Sequence, residues 1–310
     1  MRRDNKWTVV LAFAAVYIIW GSTYLVILLG LKGLPPMLLC AFRFLFAGIL
    51  LLAWCLWQGE KFPVPSSIRI NSLCGILMLS GGIGSVSWAE QYLSSSLAAV
   101  IVTALPFWFV ILDKKKWSFY FSNKFIIGGL LIGFAGVALL LGFEKTAQQA
   151  VHKTGNQLAA SLIILAGGIS WACGSLYSKY HATGNTILMN GAIQLLIAGL
   201  FSLVISGLAG EWKNFQFNQV STETWLAVLY LVIMGSIVTY VSYLFLLKVR
   251  PAAQVSTYVY INPIVALFLG ALIAQERITG IKIIALLIIL CGVLLVNIPS
   301  YKTAPDAEAS

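Results

Sequence analysis

Residues 7–31 read WTVVLAFAAVYIIWGSTYLVILLGL, twenty-five positions without one charged side chain. As a helix rising about 1.5 Å per residue, the stretch outreaches the hydrocarbon core of a bilayer, about 30 Å. Uncharged runs recur at 70–89, 91–112, 125–143, 154–178, 180–210, 224–247, 251–275 and 283–301, and a further run, 34–59, is broken only by Arg43. The chain is 60% apolar and 10% charged, with a mean hydropathy of +0.91, where a soluble domain carries about a quarter charged residues. Open sheets leave backbone groups unpaired in lipid, and barrel strands alternate over about ten residues; these runs are continuous and longer. The expected fold is an all-α membrane protein with ten transmembrane helices. Arg2 and Arg3 ahead of an apolar run resemble a leader, but the run is too long and lacks a small-residue cleavage site. It is read as a retained helix.

The first run also carries the start of an internal repeat. Trp20 returns as Trp171, and Ala47-Gly48 as Ala198-Gly199, both at an offset of 151; Pro106 returns as Pro263 and Gly136 as Gly292, at 157 and 156. The expected organisation is a first five-helix repeat over 1–143, an extracytoplasmic linker over 144–156, a second repeat over 157–299 and a cytoplasmic tail over 300–310. Five is odd, so the second half enters from the opposite side and the repeat is inverted. Inverted repeats generate alternating access in many carriers.

With the N-terminus in the cytoplasm, thirteen of the twenty Lys and Arg residues fall inside, as the positive-inside rule asks. The expected location is the cell inner membrane, with both termini cytoplasmic. The formal net charge of +10 is then a topological signal. Nucleic-acid binding needs a basic face with readout elements, which short loops do not supply. The two histidines, His152 and His181, lie at loops, and no HExxH, P-loop or paired-aspartate motif occurs. These absences speak against an enzyme, a metal site or a cofactor. Cys40, Cys55, Cys74, Cys173 and Cys291 form no CxxC pair and read as free thiols. The partners expected are a small-molecule substrate and the lipid bilayer; the oligomeric state is left open by the sequence, a monomer being compatible with it.

Inside the spans, polar and aromatic residues fall at helical spacing: Gln254, Tyr258 and Asn262; Ser236, Tyr240 and Tyr243; Asn190 and Gln194; Tyr17, Trp20 and Tyr24; Ser170, Cys173 and Tyr177. Such stripes face the bundle interior, where they either bond between helices or line a pocket. The substrate-binding candidates are Tyr240, Tyr243, Tyr258 and Asn262, with Trp20, Trp88, Trp108 and Trp171 shaping the cavity. Trp7, Trp57, Trp117, Trp212 and Trp225, at span ends, read as interfacial anchors. Pro106 and Pro263 stand mid-span, where proline bends an axis and frees a carbonyl. Arg43 is the one fully intramembrane charge, ~12 Å along the second span from Pro35, and needs a partner or water there. Glu90 is the nearest partner by depth, so an Arg43–Glu90 pair is expected as a structural or coupling element. Asp113, beside Lys114–Lys116, is expected to be solvated.

The chain resembles the drug/metabolite transporter superfamily in its ten-helix EamA-type branch, over nearly its whole length. The resemblance rests on Trp20-Gly21-Ser22-Thr23, Phe42-Arg43-Phe44, Ala47-Gly48, Trp88-Ala89-Glu90-Gln91, Leu97-Ala98-Ala99, Pro106-Phe107-Trp108 and Asp113. In the second half it rests on Ile169-Ser170-Trp171, Tyr260-Ile261-Asn262-Pro263 and Gln275-Glu276-Arg277. It implies two inverted five-helix halves moving small organic molecules, amino-acid-like or drug-like, most often outward. It also implies a cavity mainly between the third, fourth, eighth and ninth helices, with the first and sixth contributing. Related four-helix multidrug exporters carry a proton-coupling glutamate in their first helix; this first helix has none, so that route is not implied. A lipid flippase or scramblase and a non-transporting membrane subunit are the rival readings.

Overall fold

The computed structural model describes residues 6–143, 156–181, 183–213, 215–273 and 280–302. Residues 144–155 of the linker, the Gln275-Glu276-Arg277 motif and residues 303–310 of the tail lie outside the described residues. All regular structure among the described residues is helical. In chain order the helices are α1 (Lys6–Gly30), α2 (Pro36–Trp57), α3 (Pro65–Ala89), α4 (Ser95–Val102), α5 (Leu105–Leu112), α6 (Trp117–Phe121) and α7 (Lys124–Phe143). There follow α8 (Gln157–Tyr180), α9 (Ile187–Leu208), α10 (Thr222–Val249), α11 (Ala252–Val255), α12 (Tyr258–Ile273) and α13 (Gly280–Lys302).

Six of these, α1, α2, α3, α8, α9 and α10, are long and apolar enough to cross a membrane. The helical stretch 97–112, within the fourth run, is followed after a 70° bend by 114–121, and the bent pair counts as a seventh span if taken as one. Shorter apolar helical stretches occupy Lys124–Gly136 in α7 and Ile283–Gly292 in α13. Among the described residues, six or seven of the ten expected spans are thus recognisable by length and composition.

The interruptions ahead of α5 and α12 have local causes. Pro106 begins α5 near its first position, where a missing N–H is an orphan in any case. Thr103 Oγ1 turns back to the Val100 carbonyl at 2.6 Å, and Thr257 Oγ1 does the same to Gln254 at 2.8 Å, just ahead of α12. Pro263 lies inside α12, so the two prolines, expected in matching settings, stand differently relative to their breaks. α3 and α10 each contain a π-helical stretch, Ile76–Ile83 and Leu231–Val238, a feature that concentrates at functional sites.

α2 packs along α9, α7 along α13, α1 against α12 and α10, and α8 against α3. Gly292 lets α13 approach α7 closely: a Cβ there would sit 2.5 Å from the Gly129 carbonyl oxygen. The N-terminus of α2 is capped by a carboxylate from another part of the chain, Glu211, which accepts from the backbone N–H groups of Met37 at 3.1 Å and Leu38 at 2.9 Å. A negative group there complements the helix dipole. The outer faces carry large apolar side chains, among them Leu11, Ile18, Phe46, Leu131 and Phe134, the surface a bilayer requires.

Candidate substrate cavity

The first half of the site comes from α1. Trp20 is 6% exposed, and its Nε1–H donates to the Gly235 carbonyl in the π-helical stretch of α10 at 3.0 Å. A widened turn leaves carbonyls short of helical donors; here Trp20 serves one, and Thr239 Oγ1 serves the neighbouring Met234 carbonyl at 2.6 Å. In α3, the matching stretch receives Ser170 Oγ on its Leu77 carbonyl at 2.7 Å. Around Trp20 the rings gather, with centroids 5.4 Å away at Trp171, 5.3 Å at Tyr243 and 4.9 Å at Tyr258, within the range of favourable aromatic pairs.

Beside this cluster lies a cavity of about 70 Å³, whose lining includes Trp20, Tyr24, Arg43, Trp171, Tyr258 and Asn262. The walls are aromatic and apolar with a few polar groups, as in small-molecule sites. With its amide nitrogen turned toward acceptors, Asn262 donates to the carbonyls of Tyr17 and Tyr258, each at 3.0 Å. The amide orientation follows from that network. Tyr17 in turn bonds Thr257 at 2.8 Å through its hydroxyl, which ties α1 to the break before α12.

Four of the eight substrate-binding and cavity-shaping candidates therefore line the cavity: Trp20, Trp171, Tyr258 and Asn262. Tyr243 lies behind it. Its hydroxyl accepts the Trp171 indole N–H at 3.0 Å and shares a hydrogen bond with Ser175 at 2.7 Å. Tyr240 stacks beside Tyr243 and turns away, donating to Gln194. Trp108 packs on Gly168, next to the cavity, with its indole nitrogen unpartnered among the described residues. Trp88 points elsewhere, lining a separate groove with Gln91, Tyr92 and Glu211. Helical period fixes the face of a side chain but not its depth, and depth separates these groups.

The cavity also has lining residues that the candidate set does not contain: Thr23, Val86, Val102, Ile164 and the glycines Gly82, Gly167 and Gly168. Tyr24 is visible in sequence only as part of the first-helix stripe. Gly82 keeps α3 tight against α8, since a Cβ there would come within 2.7 Å of Trp171 Cε3. Gly82→Ala is expected to lower thermal stability by about 1–3 kcal/mol, the usual range for overpacking. The check is the unfolding midpoint in detergent; an unchanged midpoint would mean that the Trp171 ring yields freely.

Arg43 and Glu90 are both buried, at 1% and 0% exposure. The expected direct pair is not formed: the ion pair closer than 4.0 Å among the described residues joins Lys32 to Glu223. Arg43 instead donates from Nε to Ser236 at 3.2 Å and lies over the Phe44 ring. Asp113 corrects a second expectation. It is 2% exposed rather than solvated, accepting from the Tyr180 hydroxyl at 2.7 Å and the Tyr120 hydroxyl at 3.1 Å. The bend after α5 folds α6 back and brings Tyr120 to it.

A many-span helical bundle with a polar and aromatic cavity in its interior defines a polytopic membrane protein of transporter type. The model of the EamA-like transporter family matches residues 6–142 and 158–298, and the chain belongs to that family. It is 37% identical over 291 residues to YedA, an uncharacterized inner membrane transporter of Escherichia coli K12, covering 94% of this chain and 90% of YedA. It is 30% identical over 301 residues to an uncharacterized transporter encoded in the trpA 3' region of Buchnera aphidicola, covering 95% and 94%. A crystal structure superposes with a TM-score of 0.72 at 18% identity, over 96% of this chain and 99% of that one, a likeness of fold.

Proposed function

We propose that this protein is an inner-membrane carrier of small organic metabolites, an exporter that works by alternating access through the cavity between α1, α3, α8 and α12. The observation that carries this reading is the cavity itself: an interior space with Trp20, Trp171, Tyr258 and Asn262 on its walls. The substrate-contacting set on this reading is Tyr258, Asn262, Trp20 and Trp171, with Tyr243 and Tyr240 supporting it.

The ten-helix, two-repeat organisation belongs to the same proposal. Three observations support it. The family model matches two stretches of similar length. The π-helical stretches of α3 and α10 are 155 residues apart. The breaks at Thr103 and Thr257 are closed by the same side-chain bond. Helices repeated in opposite orientation give two states of similar energy from one sequence.

The test is untargeted mass spectrometry of spent medium from cells producing the intact protein or an equally expressed Tyr258→Ala/Asn262→Ala variant. A metabolite is expected to be enriched outside only with the intact protein, and at least tenfold less so with the variant. Equal enrichment by both would remove this cavity from the transport route.

A further inference from the structure

The central cavity contains one cation with unused hydrogen-bonding capacity. Arg43 lines the cavity and is 1% exposed. Its Nε is taken by Ser236 and its face by Phe44, at 5.1 Å from guanidinium carbon to ring centroid. Its Nη1 has no hydrogen-bond partner among the described residues. A guanidinium offers five N–H donors in a planar fork, and a buried one is costly unless paired. Glu90 interacts electrostatically with Arg43, yet no carboxylate closes on it within 4.0 Å among the described residues. That unpartnered donor is buried, on a residue that lines a space walled by Trp20, Trp171 and Tyr258.

Planar bidentate recognition of carboxylates is what this fork does best. Apolar aromatic walls accept a hydrocarbon body and disfavour a doubly charged, heavily hydrated group such as phosphate. We propose that Arg43 is the anion-recognition residue of the central cavity, and that the substrates are compact monocarboxylates with an apolar body. This rests on reading the cavity as the substrate site, and it adds the chemical class.

The test uses purified full-length protein in detergent and two matched probe pairs: 4-methylvalerate with 4-methylvaleramide, and 3-phenylpropionate with 3-phenylpropanamide. Titration calorimetry is expected to show binding of at least one acid, with its amide at least tenfold weaker. Arg43→Gln is expected to bring that acid down to the level of its amide. Should Arg43→Gln fail to fold, Arg43→Lys keeps the cation but loses the fork, and should weaken the acid at least threefold while leaving the amide unchanged. Equal binding of acid and amide, no acid binding at millimolar concentration, or full acid affinity in a folded Arg43 variant would each overturn the proposal. The assay contains no transport step. A carrier of neutral solutes would fail here and still pass the spent-medium test, so the two failures are distinguishable.

Discussion

Trp20→Ala is expected to give the largest loss of any single substitution in the cavity, both in stability and in transport. The side chain touches three rings at once, those of Trp171, Tyr243 and Tyr258, and supplies the hydrogen bond to the Gly235 carbonyl. Removing a large aromatic from a packed interior costs roughly 3–5 kcal/mol. In a bilayer the water-transfer part of that figure shrinks, because lipid is itself apolar, while the packing part remains; about 3 kcal/mol is the expected loss. Trp20→Phe separates the two contributions. It keeps a ring in the cluster but leaves the Gly235 carbonyl without its indole donor, for an expected loss of about 1–2 kcal/mol. Thermal unfolding in detergent reads both variants, and efflux of a metabolite found in spent medium reads their function. If Trp20→Ala unfolds like the intact protein, the ring cluster holds little of the bundle together.

Trp20 and Trp171 are legible in the sequence because they recur at the 151-residue offset of the proposed repeat, and the two side chains pack ring to ring. Tyr258 and Asn262 are legible for another reason: a polar stripe on an apolar helix has to face inward. By the same periodicity Tyr240 and Tyr243 fall on the right face but in the wrong layer. Helical spacing carries no information on depth, and both lie behind the cavity that Tyr258 lines. Trp88 departs from expectation because an aromatic near a span end has two faces open to it, and here it takes the groove beside Glu211. Gly82 and Gly167 are invisible in the sequence as site residues, since their role comes from another helix arriving against them. Asp113 reads as solvated among lysines because the 70° bend that buries it is set by tertiary packing rather than by its neighbours along the chain.

Gln194→Ala is expected to do more damage than removing Gln194 together with its partners. Gln194 is fully buried, accepts from the Tyr240 hydroxyl and donates to Asn71 Oδ1 at 2.7 Å. Asn71 passes the chain on to Asn190 Oδ1 at 2.8 Å, which also accepts from Thr183 at 2.8 Å. A continuous polar line thus joins α10, α9 and α3 and reaches a surface pocket lined by Asn71, Thr183, Asn185 and Asn190. Deleting its centre orphans a hydroxyl and an amide oxygen in a low-dielectric interior, where each unsatisfied group costs about 1–3 kcal/mol. Replacing all three members with apolar groups of like size, Gln194→Leu, Asn71→Leu and Tyr240→Phe, removes both orphaned groups and should recover most of that loss. The expected result is strong non-additivity across the mutant series, read from unfolding midpoints in detergent. Additive losses would mean that the freed groups find new partners within the membrane, as polar side chains there often do. A triple variant that regains stability but not efflux would assign the line a second role.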